Sequence, residues 1–395
     1  MSGQGKTRAD RFHTIIVGLG AMGSAAAANL ARRGVRVLGI EQFALGHARG
    51  SSHGHSRMIR MCYYEHPDYV PLLRRAYELW RETEAASSAK LLHITGGVYM
   101  GPPDSLAVSG AIRAAVAHHL DHELLDRGDL AKRYPQFNVP DDHSALFEPV
   151  AGYLVPEAVI AAHLSLARAA GATLRDNERV DSYDADGARV RLYTSAGEYE
   201  ADRVIFTSGA WATRVVTDLG IEVAASRQVM GWVRPEKPEM FAEGACPVWA
   251  IDCPLALADV RAGLYYGFPA DAGGTPGFKI ARHAVGPPIN PDRADLNPVP
   301  SDEADFRPAL RAFLPDADGP LIAARICMYE NSPDGHFIID RHPRHANVII
   351  ACGFSGHGFK FASVVGEVLA DLAADGATRH PIGFLGLARF GRLQA

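Results

Sequence analysis

The first strong hydrophobic pattern along the chain is a short β-branched run, His13 to Val17, followed by Gly18-Leu19-Gly20-Ala21-Met22-Gly23 and an alanine-rich stretch from Ser24 to Arg33. An apolar run stopped by glycines predicts a buried strand. The alanine stretch, free of proline and β-branched residues, predicts a helix. Val35 to Ile40 supplies a second apolar strand, ending at Glu41. The period then changes, and residues 68–86 set Val70, Leu72, Leu73, Tyr77 and Trp80 on one helical face. Pro156 to Ala170 predicts another helix, leading through Leu174 and a polar stretch to Val180, and Arg189 to Thr194 and Arg203 to Thr207 predict strands. The latter run closes on the small-residue turn Ser208-Gly209-Ala210-Trp211. Residues 223–321 are rich in proline and glycine and lack long helical patterns, which predicts a mainly antiparallel sheet. Asn347 to Cys352 reads as a buried strand, running through a glycine-rich turn into a helix from Phe361 to Asp375.

Strand, glycine turn and helix therefore occur near both ends, with a different texture between them. This predicts an α/β chain of two interleaved domains. Residues 11–90, 150–222 and 320–390 form the first domain, residues 91–149 and 223–319 the second, and residues 1–10 a flexible tail.

Composition narrows the function. With 47% apolar and 22% charged residues over 395 positions, the chain is an ordinary globular protein large enough for more than one core. A net charge of -5, with both signs interspersed, offers no basic face for nucleic acid or an anionic membrane, so small molecules are the expected partners. Five cysteines in no CxxC pair argue against a secreted disulfide framework. The polar start and the lack of a long uninterrupted apolar stretch add to a cytoplasmic expectation. No metal site is expected.

The glycine turn carries the first chemistry. Gly18 permits a tight turn, Gly20 lets main chain approach a pyrophosphate, and Gly23 lets helix and strand pack closely, while the helix N-terminus turns unpaired N–H groups toward the anion. Glu41 ends the second strand where an acid accepts ribose hydroxyls, which favours FAD or NAD over NADP. Gly46 to Arg60 then forms a polar, glycine-rich loop with three arginines and three histidines. By its chemistry alone that loop is either a solvated surface segment or the grip on an extended anionic ligand.

Several motifs in order, GLGAMG with Glu41, GSSHGHSRMIR, YYGFP followed by GFKIARH, CMYENSPDGHFIID and GFSGHGFK, give the chain a specific resemblance. It resembles the monomeric sarcosine oxidase and N-methyltryptophan oxidase family of D-amino-acid-oxidase-like flavoenzymes, over nearly its whole length. The resemblance implies a Rossmann-like FAD-binding domain interleaved with a substrate domain built on a mainly antiparallel sheet. It implies oxidation of a secondary amino acid to an imine, with molecular oxygen becoming hydrogen peroxide, by a monomeric enzyme. It implies that Cys327 attaches FAD through a thioether to the 8α carbon, an attachment requiring a thiol whose pKa is lowered by nearby positive charge. Without the CMY context, a lone cysteine after an apolar run reads as a packing residue. Arg57 is implied to lie against the flavin, Arg60 and Lys360 to clamp the substrate carboxylate, and Lys279 to sit near flavin N5 and promote the reaction with oxygen. His283, Tyr266 and Tyr329 are implied to line the substrate cavity. Gln42, Ser51, Ser52, His53, Val180, Gly209, Phe354, Gly356, His357, Gly358 and Lys360 complete the implied cofactor contacts.

Rival readings keep the same scaffold. One is a flavin oxidase of a cyclic imino acid of the pipecolate type, or of a larger N-alkyl or glycated amino acid. Another is a dehydrogenase that does not use oxygen. A non-catalytic dinucleotide-binding redox sensor would have no use for the cations Arg60, Lys279 and Lys360, and all three are present.

Overall fold

The computed structural model describes residues 11–213 and 219–391; the tail expected at residues 1–10 lies outside them. The opening apolar run forms the strand Arg11–Val17, which pairs in parallel with Val37–Ile40 on one side and Gly197–Phe206 on the other. Thr173–Arg175 extends this sheet beyond Val37–Ile40, and His345–Cys352 runs parallel to the end of Gly197–Phe206. An antiparallel partner, Ile338–His342, and the pair Val180–Ala185 and Val190–Thr194 bring the sheet to eight strands.

Three helices pack together beside this sheet: Ala21–Arg32, Pro156–Ala169 and Ala362–Ala374. Small residues set their spacing. A Cβ on Gly366 would lie 2.5 Å from that of Ala25, so the first and last helices approach almost to main-chain contact. The amphipathic helix Val70–Ser87 buries Val70, Leu72, Leu73 and Trp80 in the same core.

The second sheet has nine strands. Ala224–Val233, Phe278–His283, Gly263–Gly267 and Val248–Cys253 follow one another in antiparallel pairs, and Gly97–Gly101 lies parallel to the last of them. Leu321–Asn331 joins this sheet through a long antiparallel ladder with Ala224–Val233. A domain boundary near residue 320 therefore does not follow sheet membership, because hydrogen bonding commits residues 321–331 to the second sheet and only later residues return to the first. A small third sheet joins Arg57–Ile59 to Gly152–Leu154, tying the polar loop to the start of the helix Pro156–Ala169. Among the described residues no helix is long and apolar enough to cross a membrane.

Candidate active site

Between the two sheets lie two cavities that share a wall. The larger, with about 1500 Å³ of non-atom space, follows the glycine turn. Gly18 takes φ +92° there, and a Cβ on Gly23 would lie 1.9 Å from the Gly18 carbonyl oxygen, so both positions require glycine. Gly18, Gly20, Glu41 and Gln42 line it, and so do Ser51, Ser52 and Arg57 from the polar loop, Val180 and Gly209, and Phe354, Gly356 and Gly358 from the last turn. This loop is thus built into a cavity wall, with Gly46, Ala48 and Arg49 exposed at its start.

The Glu41 carboxylate is buried and accepts the Leu19 N–H at 2.9 Å and the Phe43 N–H at 3.2 Å, which fixes it at the end of its strand. The loop is held in turn by Glu157, which accepts the Gly54 N–H at 2.7 Å. Ser51 donates to the Met328 carbonyl at 2.6 Å. Glu178, Thr207, Trp211 and Glu330 also line the cavity. Thr207, Trp211 and Glu330 lie in segments the sequence marks but are not singled out within them, and the strand leading to Glu178 is too short and polar to read as one.

The smaller cavity has about 730 Å³ of non-atom space. Arg57, Tyr329, Gly356 and Phe359 line both cavities and form the shared wall. Beyond it stand Arg60, Tyr266, His283, Cys327, His357 and Lys360, drawn from five segments of the chain. Lys360 and His357, expected among the cofactor contacts, line this cavity and not the larger one, which the same turn meets through Phe354, Gly356, Gly358 and Phe359.

The charged groups there form one cluster. Arg60 is 2% exposed and gives Nη2 to both Glu65 oxygens, at 2.7 and 2.6 Å. Its guanidinium also lies 3.7 Å from the Tyr64 ring centroid and 4.4 Å from that of Tyr63. Burial alone would raise the Glu65 carboxyl, yet Arg60, with His357 and Lys360 behind it, holds it down to about 2. The expected pair of cations is thus a triad with an acid at its centre. Lys360 donates from Nζ to the His357 carbonyl at 2.8 Å, and burial reinforced by Arg60 brings its ammonium down to about 7. His357 bonds through Nδ1 to the Tyr63 hydroxyl and through Nε2 to the Gly335 carbonyl. His283 bonds through Nδ1 to the Tyr329 hydroxyl at 3.2 Å. Burial lowers His283 to about 4 and His357 to about 3, so both are neutral near pH 7. Glu148, fully buried, accepts the Cys62 N–H at 3.0 Å and the Tyr99 hydroxyl at 3.1 Å and anchors the segment bearing Arg60 and Glu65.

Three expectations need correction. Lys279 lies on neither cavity wall: 1% exposed, it gives its ammonium to the Gly54 and Ser56 carbonyls at 2.7 and 2.8 Å and to Ser56 Oγ at 3.2 Å. A buried ammonium takes the nearest oxygens, and here these belong to the underside of the polar loop; burial, with Arg57 nearby, pulls its pKa well down. His53 is buried, lines neither cavity, and neither ring nitrogen meets a hydrogen-bond partner among the described residues. Burial pushes His53 down to about 3, which keeps the ring neutral beside Arg57. Finally, the Cys327 thiol is raised by burial, although Arg57 Nη2 stands 3.6 Å from Sγ and, with Lys279, acts to lower it. The positive charge is present, but desolvation outweighs it.

A mainly parallel sheet with a glycine cradle at its strand ends, set against a mainly antiparallel sheet that carries Tyr266, His283 and Cys327, is the plan of a flavin-dependent oxidoreductase. The chain belongs to the DAO family of FAD dependent oxidoreductases, whose pattern it matches over residues 13–372. It is 42% identical over 374 residues to monomeric sarcosine oxidase of Streptomyces avermitilis, covering 94% of this chain and 96% of that one. It is 35% identical over 382 residues to N-methyl-L-tryptophan oxidase of Salmonella dublin, covering 96% and 99%. Among solved structures, the open form of the amino acid oxidase NikD superposes with a TM-score of 0.82 at 23% identity, covering 95% of this chain and 97% of that one. The expected FAD scaffold and fold class hold.

Proposed function

We propose that the chain is an FAD-dependent oxidase of secondary amino acids, sarcosine or another N-methyl amino acid, that works as a monomer in the cytoplasm. The observation that carries this reading is the shared wall: a dinucleotide cavity opens at Arg57, Tyr329 and Gly356 onto a pocket holding Arg60, Glu65 and Lys360. The names of the relatives point the same way.

The residues present fit FAD. The main-chain N–H groups at the start of Ala21–Arg32 would hold the pyrophosphate, and Glu41 would accept from the ribose. When bound, the flavin supplies the two-electron acceptor and the onward reaction with oxygen that yields hydrogen peroxide. Cys327 Sγ is the atom we assign to a thioether with the flavin, supported by the Arg57 guanidinium 3.6 Å away, whose charge works against the effect of burial.

On the substrate side, Lys360 and Arg60 receive the carboxylate, and this fixes the direction in which the N-substituent points. Glu65 competes with that carboxylate for Arg60, so binding redistributes the guanidinium between two acids. The neutral rings of His283 and His357 add no charge of their own, while the cations disfavour a second positive charge and so help the amine bind uncharged. Tyr266, Tyr329 and His283 line the pocket beside the place the substrate would occupy. Lys279 acts through its charge from beneath the loop, close enough to couple to Arg57 and Cys327.

Anaerobic titration with sarcosine, N-methyltryptophan and pipecolate tests the reading: bleaching of the flavin band by an N-methyl amino acid, with peroxide on readmission of oxygen, is expected. Bleaching by pipecolate alone would move the substrate to the cyclic class, and no bleaching by any secondary amine overturns the proposal. Yellow colour should stay in an acid-precipitated pellet and leave it in Cys327→Ser.

A further inference from the structure

The strand Ala224–Val233 sets Gln228 opposite Cys327 and on the same side as Met230, and all three line the smaller cavity. Gln228 is 7% exposed, and its amide is held by its donor end. Nε2 donates to the Ala284 carbonyl at 2.9 Å and to Ser226 Oγ at 3.2 Å. Ser226 Oγ also accepts from Asn331 Nδ2 at 2.9 Å, so the network ties this strand to its neighbours on either side. Turning the amide over would set Oε1 against the Ala284 carbonyl, acceptor against acceptor, and the network therefore fixes which end is the oxygen. That oxygen meets no donor among the described residues, yet it is not sealed from solvent. Gln228 lines the smaller cavity and not the larger, so Oε1 is an acceptor left open in the amine pocket. A buried amide pinned in this way is half of a hydrogen bond, and what binds there has to bring the other half.

The chemistry of the two bound groups identifies the donor. The isoalloxazine ring comes to Gln228 by the edge that Cys327 would hold, since the two residues pair across their strands. That methyl-bearing edge has no N–H. An amino acid whose carboxylate is taken by Arg60 and Lys360 has one donor left, at its amine nitrogen. We propose that Gln228 Oε1 accepts the N–H of the bound secondary amine. Two cations at the carboxylate and one acceptor at the N–H hold the molecule at both ends, which sets the lone pair and the N-substituent in a single direction. A neutral tertiary amine brings no N–H, and the same oxygen therefore favours secondary amines over tertiary ones.

The inference rests on the proposed reading of the smaller cavity as the amine pocket. Pyrrole-2-carboxylate and furan-2-carboxylate test it without turnover, because they are flat carboxylates of one shape that differ in a ring N–H against a ring oxygen. Each is titrated into the holoenzyme while the flavin absorbance is followed. The wild type should bind the pyrrole about tenfold more tightly than the furan, and Gln228→Met should lose that preference by weakening the pyrrole alone. Gln228→Glu, which keeps an acceptor, should keep the preference, and it decides the matter should Gln228→Met not hold flavin; a preference lost there overturns the proposal. A ratio near one in the wild type also overturns it, and so does a ratio that survives in Gln228→Met, the result that an amide of purely structural use would give. If neither ligand perturbs the flavin of the wild type, the carboxylate clamp itself is wrong and the inference falls with it.

Discussion

The two cavities share a wall but are built on opposite principles. The larger is shaped mainly by main chain: glycines whose missing Cβ atoms leave the space, a helix N-terminus, and loops held from behind by Glu157 and Thr207. The smaller is shaped by side chains, and its cations, acid and histidines depend on one another for their charge states. A main-chain cradle is sensitive to added bulk and indifferent to small chemical changes nearby. A buried charge cluster behaves in the reverse way, because each member is the counterpart that makes another affordable.

The sharpest break comes from adding one carbon to the cradle. In Gly23→Ala the new Cβ would fall 1.9 Å from the Gly18 carbonyl oxygen and 2.6 Å from Thr207 Oγ1, and the first of these is main chain that has nowhere to go. Purified Gly23→Ala is expected to carry almost no flavin by its absorbance at any pH, while alanine at exposed Gly187, which meets nothing within 4 Å, should leave flavin content untouched.

Next in size is Arg60→Met, which matches the stem of the side chain and removes its charge. Glu65 is left buried without its partner, a situation worth about 3–5 kcal/mol, and the carboxylate clamp is halved. Steady-state kcat/KM should fall by about a thousandfold or more, with flavin content near normal. Loss of flavin together with activity would mean that the two cavities are not separable as described.

The third effect is a pH dependence confined to one cavity. Lys360 sits at about 7 when the pocket is empty, and a bound carboxylate raises it further. Binding that raises a pKa is strongest below the free-state value and is lost as pH climbs toward the bound-state value. The affinity for a small carboxylate that lacks an amine should therefore be flat below pH 7 and fall about tenfold per pH unit above it. The neighbours do not supply this limb, since Glu65 lies near 2, His357 near 3 and His283 near 4. Lys360→Met should bind weakly and without the slope, and a slope that survives that change would assign it elsewhere. The glycine turn grips through N–H groups that do not titrate, so flavin content should not follow the Lys360 limb over the same range.

How far each cavity could be read in advance follows from the same difference. The cradle is local in sequence: strand, glycine turn, helix and acid lie within residues 11–41, and the observed bounds differ from the expected ones by only a few residues. Of its later contributors, Glu178 sits after a short polar strand with no periodicity to expose it, whereas Thr207 ends the apolar run that predicts the strand Gly197–Phe206. The charge cluster is non-local. Arg60, His283, Cys327 and Lys360 are far apart in the chain, and only resemblance to a family brought them together before the fold did. Even that resemblance left out Glu65, which reads as an ordinary acid ahead of a helix; its place five residues after Arg60 on one loop was the available hint. It also set Lys279 at a cavity surface, since a motif carries residue type and order but not which oxygens a buried ammonium will choose.

The smallest effects give the finest test, because two deletions of a single hydroxyl oxygen fall on opposite sides of the shared wall. In the cradle, Thr207→Val removes Oγ1, which donates to the Gly18 carbonyl at 2.7 Å. The lost bond costs about 1 kcal/mol of stability, but the wall at that point is still the Gly18 main chain, so flavin content and KM should both be unchanged. In the charge cluster, Tyr63→Phe removes the hydroxyl bonded to His357 Nδ1, at a similar cost of about 1 kcal/mol. His357 is the residue whose carbonyl receives the Lys360 ammonium, and the Tyr63 ring lies 5.2 Å from that ammonium. Freed at Nδ1, the imidazole loses its fixed orientation, and the Lys360 anchor loosens with it. The expected result is a matched small drop in melting temperature for both variants, with a severalfold rise in KM for the amine, at unchanged kcat, in Tyr63→Phe alone. A rise in KM of equal size in Thr207→Val would mean that the cradle transmits small side-chain changes as readily as the charge cluster does, and the contrast between main-chain and side-chain construction would then have no functional content.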